Sequence, residues 1–305
     1  MVTPANIVAA LFLLVPYFAV AFFPCVMTNH VRALQLPTQL IAPIFLCIPY
    51  ALVTLAAGNF HLSWFALYAL VPVIIAVLLW QASRIAPPSS EGTLPPESGN
   101  LTQRGTVYDL LVLAIIGLAV DLRWFERAWP AHMSIFNKVT LLDAGIYGFV
   151  LIRQLGGTGF DLRLRLRDIG IGMREVLIYT PIALALGLSL GFLHVHAVWP
   201  SFTEIAEAWI FTFFFIAVPE ELFFRGWIQN LLERRLGRHA ALFLTAALFG
   251  LAHFNKRTTG FNWQYVLLAT LAGIFYGRAW RSQRRVGASA VTHASVDAIW
   301  SLWLR

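Results

Sequence analysis

Apolar runs long enough to cross a bilayer follow one another along almost the whole chain. Ten stretches qualify as candidate spans: residues 5–28, 38–57, 62–80, 107–122, 139–155, 175–194, 203–232, 240–254, 263–281 and 287–304. A helix crossing a hydrocarbon core of ~30 Å needs about 20 such residues. The runs are continuous rather than alternating, which excludes a β-barrel. Apolar residues make up 59% of the 305 and charged residues only 12%. That balance excludes a soluble globular enzyme, a disordered chain and a coiled coil. The expected fold is all-α, a polytopic transmembrane helical bundle of about 8–10 spans. Spans 107–122 and 139–155 fit least well, being short and carrying Asp109 and Asp143.

The net charge is +7, but the basic residues are scattered over short loops. They read as topology information, and no nucleic-acid partner is expected. With the N-terminus outside, the inner loops hold fifteen basic residues and the outer loops six, Arg257 and Arg305 among the latter. The first apolar run lacks a basic flank and a small-residue cleavage site, so it reads as a span and not as a cleavable signal. Only Lys138 and Lys256 are lysine among 22 basic residues, an arginine bias that points to a bacterial inner membrane. Cys25 and Cys47 form neither a disulfide framework nor a metal motif.

Residues 84–106, with Pro87-Pro88, Ser89-Ser90 and Pro95-Pro96, form a linker after three leading helices. A second boundary falls at Gly156-Gly157-Thr158-Gly159, before the alternating Leu/Arg stretch that ends at Arg167. The expected organisation is an accessory set of helices over 1–155 and a functional core over 170–305. Gly187-Leu-Ser189-Leu-Gly191 has the form of a nucleophile elbow, which needs a strand–turn–helix setting. Here it is expected inside a continuous helix, as a packing motif. The Asn100-Leu-Thr102 sequon is discounted as an inner loop. His30, His61, His132, His194, His196 and His239 lie near span ends without a ligand pattern.

Ionisable residues inside spans are costly and point to function. The seventh span contains Pro219-Glu220-Glu221, with Arg225 one turn on. Glu221 and Arg225 are i and i+4, acidic before basic, and can neutralise each other. Glu220 points about 100° away and is left for chemistry. His253 lies in the eighth span. Gly237 is the expected fold point, and Glu220 and His253 are nearly equidistant from it, so both lie about 25 Å from the turn. Such a pair can share a water or a metal. In the last span His293 and Asp297 are i and i+4, and Asp297 can orient the ring or act as a ligand.

These three motifs, in this order, resemble the CAAX-protease and bacteriocin-processing (CPBP, or Abi) family of intramembrane endopeptidases. The resemblance covers about residues 170–305 and implies that Glu220 activates water with His253 assisting. Glu221, Arg225, His293 and Asp297 complete the implied catalytic set. The family has been described both as zinc metalloproteases and as metal-independent glutamic proteases. Some members carry Asn where this chain has Asp297, which cannot donate to an oxyanion unless protonated.

The expected activity is therefore hydrolysis of a peptide bond in a membrane-associated protein or peptide precursor, within the lipid bilayer. His293 and Asp297 stabilise the oxyanion, or Glu220, His253, His293 and Asp297 hold Zn²⁺. No other cofactor is implied. The alternative is a non-catalytic transporter or scaffold that uses the buried polar residues as an ion or proton relay. Against a transporter, the chain has no repeated halves.

Overall fold

Each apolar run folds as a helix, and the breaks fall where backbone chemistry demands them. The computed structural model describes residues 3–87, 103–131, 133–256 and 260–304. In chain order the helices are α1 (Pro4–Phe22), α2 (Pro24–Ala33), α3 (Leu36–Ala56), α4 (Leu62–Ile85), α5 (Val107–Asp121) and α6 (134–152). They continue as α7 (Leu166–Ser189), α8 (Phe202–Leu236), α9 (Arg238–Leu251), α10 (Trp263–Gln283) and α11 (Val286–Trp303). No strand occurs among the described residues. By length and hydropathy, α1, α3, α4, α7, α8 and residues 135–152 of α6 can each cross a membrane, while α9 is apolar but shorter. The other expected spans are helical but fall outside that measure.

Several boundaries differ from the sequence reading. The run 5–28 is broken at Phe23, because Pro24 starts a new helix at its first position, where its missing N–H costs nothing. The span expected at 175–194 is shifted to Leu166–Ser189. The helix therefore ends inside Gly187–Gly191, and Gly191 takes φ +65°. The three atoms nearest a Cβ on Gly187 all belong to Leu193, just past the helix end, so the motif expected inside a continuous helix forms a helix terminus. The helix α4 runs on to Ile85, inside the expected linker. Most of that linker, the 100–102 sequon, His132, Arg257 and Arg305 lie outside the described residues.

The described residues divide into two units, 3–87 with 103–156, and 157–304. In the first, Asp109 closes a capping box with Thr106 at the start of α5. It also receives Arg153 Nε at 3.0 Å, with both side chains buried. That pairing accounts for a carboxylate in a span that fitted poorly. Arg153 donates further to the carbonyls of Ala86 and Arg104. Around Tyr50, Tyr68 and Trp129 the aromatic rings pack edge to face and stacked. Trp129 Nε1 donates to Tyr68 Oη, which donates to Asn137 Oδ1.

In the second unit Gly237, at φ +77°, makes the turn between α8 and α9, as the fold-point reading expects. The helices α9 and α10 approach closely through small residues. A Cβ on Gly250 would overlap Thr270 Oγ1, and one on Gly273 would press on Ala246. The helix α11 packs against α7, α8 and α10. Its start is tied to the strap before α7. Arg285 Nε sits 3.0 Å from Asp168 Oδ1, its other nitrogens donate to Asp161 and to the Arg163 carbonyl, and Val286 N donates to Gly159 O.

Candidate functional site

Helix α8 departs from regular α-helix on both sides of its carboxylates. Wide π-type turns at Phe213–Ala217 and Leu222–Gln229 flank the four residues Val218–Glu221. Such turns displace side chains from the ordinary 100° spacing and are frequent at functional sites. Glu220 and Glu221 both approach one side chain of α11, His293. Glu221 Oε1 lies 2.9 Å from His293 Nδ1, and Glu220 Oε2 lies 3.9 Å from His293 Nε2.

The two glutamates sit in different surroundings. The Glu221 side chain is fully buried. Its Oε2 accepts from Arg225 Nε at 3.0 Å and from Ser289 Oγ at 2.6 Å. The Glu220 side chain is 32% exposed. Asp297, 30% exposed, brings Oδ2 to 3.5 Å from His293 Nε2. Three carboxylates thus surround one imidazole, and both ring nitrogens face oxygen. Tyr276 of α10 stacks on the ring, with centroids 4.5 Å apart and planes at 16°.

His253 lies just beyond the end of α9, in the turn after Leu251, and not within the eighth helix as the sequence suggests. Its Nδ1 is 2.8 Å from the Phe249 carbonyl. A carbonyl only accepts, so Nδ1 carries the proton and Nε2 is left as the lone-pair nitrogen of the neutral ring. Phe249 joins the two halves of the site. Its ring packs against His253 at 4.9 Å and edge-on to His293 at 5.6 Å. The Arg225 guanidinium lies over the same ring at 5.2 Å, and its two terminal nitrogens have no hydrogen-bond partner among the described residues. The aromatic faces of Phe224, Phe249 and Tyr276 take that place.

Zinc requires three or more convergent ligand atoms with free lone pairs. Among the described residues no group of three or more His, Cys, Asp or Glu side chains is placed to hold a metal ion. The described side chains as arranged do not fit a zinc ligand set.

Two contributors lay outside the sequence motifs. Ser289 precedes His293 by one helical turn, an i, i+4 relation that the sequence displays. It reads there as one more small residue in Gly287-Ala288-Ser289-Ala290. Tyr276 carries no local signal at all, since its role comes from how α10 crosses α11.

Residues 202–299 match the model of a family described as Rce1-like, type II CAAX prenyl endopeptidase Rce1-like. That segment contains Glu220, Glu221, Arg225, His253, His293 and Asp297. Neither a curated protein nor a solved structure matches. The segment is thus similar to the type II CAAX prenyl endopeptidases of the Rce1-like family. That likeness is consistent with the CPBP family that its motifs resemble.

Proposed function

We propose that the protein is an intramembrane endopeptidase that hydrolyses a peptide bond of a membrane-associated protein or peptide precursor, by a glutamic, metal-free route. The observation that carries the reading is the contrast between adjacent carboxylates. Glu221 is buried and bonded on both oxygens, whereas Glu220 is open enough to meet water and substrate.

In this reading Glu220 takes a proton from water as the oxygen attacks the scissile carbonyl carbon. His253, through its lone-pair nitrogen, orients that water and relays a proton. The same proton passes to the leaving amide nitrogen as the C–N bond breaks. Positioned proton transfer of this kind contributes typically about 10²–10⁴ in rate. His293, gripped by Glu221 through Nδ1, stabilises the oxyanion, a contribution of about 10²–10³ per donor. An ionised Asp297 beside the oxyanion opposes the reaction, so Asp297 serves by holding His293 as a cation. The family name supports proteolysis near a membrane. The arginine-rich chain points to a bacterial inner membrane, with the N-terminus outside and residues 1–155 as an accessory module.

The test compares the parent with Glu220→Gln, both purified and reconstituted in liposomes, against membrane-anchored peptide substrates read by mass spectrometry. Cleavage by the parent, with loss in the variant at unchanged folded yield, is the expected result. Cleavage that survives Glu220→Gln refutes the assignment.

A further inference from the structure

We infer that Ser289 is a positioning residue that sets the orientation of the Glu221 carboxylate on His293. The inference rests on the proteolytic reading above, but its geometry stands independently. Arg225 and Glu221 belong to one helix, so their bond moves with α8 and cannot fix α8 against α11. Ser289 and His293 both belong to α11, four residues apart on one face. Ser289 Oγ donates to Oε2 at 2.6 Å while His293 Nδ1 meets Oε1 at 2.9 Å. Two groups of one helix therefore hold both oxygens of a single carboxylate from another helix. A carboxylate held at both oxygens cannot rotate about its terminal torsion, which is otherwise a broad, soft coordinate.

The consequence falls on His293. With Oε1 held in place, Nδ1 keeps its proton and Nε2 points toward Glu220 and Asp297. Ser289 is completely buried, so water cannot replace its hydroxyl when it is removed. Loss of the donor leaves Oε2 bonded only to Arg225 of its own helix, so the carboxylate is tied to α11 through Oε1 alone and the ring loses its fixed orientation. Ser289 touches neither substrate nor the reacting atoms, and acts only through Glu221.

The experiment uses the full chain in detergent or liposomes, with Ser289→Ala, Ser289→Cys and Ser289→Thr. Cysteine keeps the volume and supplies only a weak donor, so it serves if alanine lowers the folded yield. Nitrogen-15 histidine spectra read the Nδ1 resonance of His293, assigned with His293→Gln. It is expected to shift in the Ala and Cys proteins and to stay near the parent in Ser289→Thr. Steady-state kinetics are expected to show kcat reduced about tenfold with KM unchanged, the scale of losing one hydrogen bond to a charged group. The pH profile of kcat is displaced, and threonine restores both. An unchanged Nδ1 resonance in Ala and Cys overturns the inference, as does a kcat equal to the parent. A threonine protein as impaired as alanine assigns the effect to packing and also overturns it. If the parent cleaves nothing, the proteolytic reading fails, and the histidine spectra still decide the role of Ser289.

Discussion

Replacing Glu221 by leucine removes the one hydrogen-bond acceptor that the described structure gives to the Arg225 guanidinium. The Nε bond to Glu221 is 3.0 Å long, and both terminal nitrogens already lack a partner. Both side chains are fully buried, so water cannot take over. Stranding a buried charge costs about 3–5 kcal/mol, a large part of a domain stability of about 5–15 kcal/mol. Arg225→Met strands less. Glu221 keeps Ser289 and His293 as partners. Losing one hydrogen bond to a charged group costs about 1.5–3 kcal/mol. Glu221→Leu is therefore expected to be less stable than Arg225→Met by about 1–3 kcal/mol. The double variant should recover part of the Glu221→Leu loss, since the arginine charge is then no longer stranded. Thermal unfolding in detergent and the monodisperse yield on size exclusion measure all three. An Arg225→Met protein less stable than Glu221→Leu, or a double variant worse than Glu221→Leu alone, refutes the reasoning.

Gly250→Val should lower the melting temperature sharply, because its Cβ meets Thr270 Oγ1 and the Val266 carbonyl of α10. Gly170→Ala, with open space around it, should be neutral or stabilising by up to about 1 kcal/mol in the same melts. Burial raises the Asp161 carboxyl, but hydrogen bonds from Arg163 and the charges of Arg285 and Arg163 outweigh it and hold it below the ordinary aspartate range. Stability from Asp161 is then fully present above that range and lost as the pH falls through the lowered value. The gap in melting temperature between parent and Asp161→Asn should be widest near neutrality and close in acid, and a gap constant with pH contradicts this. Asp297→Asn should keep much of the activity, and the parent should keep it after exhaustive chelation. Activity that vanishes on chelation, with stoichiometric zinc by elemental analysis before it, and returns with zinc overturns the metal-free route.

Much of this architecture is legible locally. Helical runs, the Gly237 turn, the Glu221–Arg225 spacing and the His293–Asp297 spacing all depend on residues within a few turns of one another. What was hidden depends on tertiary approach. That Glu221, already neutralised by Arg225, also grips His293 follows from how α8 meets α11. The π-type turns on either side of Glu220 and Glu221 carry no residue signature, and neither does the approach of both carboxylates to one ring of α11. The Asp109–Arg153 pair joins residues 44 positions apart, so Asp109 looked like a flaw in its span. Asp143 is buried, and neither of its carboxylate oxygens has a hydrogen-bond partner among the described residues.

The i, i+4 pairing of Glu221 with Arg225 also bears on biosynthesis. Helix α8 enters the membrane before α11 has been synthesised, so its charges must first be tolerated without His293 or Ser289. Unpaired, each charge near mid-helix costs about 2.5–3.5 kcal/mol on insertion scales. A pair that closes within one helix lowers that cost from the moment the turn forms. Glu221 is then delivered to α11 already shielded, while Glu220, lacking such a partner, stays ready for whatever the last helix brings. The hydrolytic centre proposed above thus comes into being only when α11 docks, and on that proposal a half-inserted chain has no competent site with which to cut its neighbours.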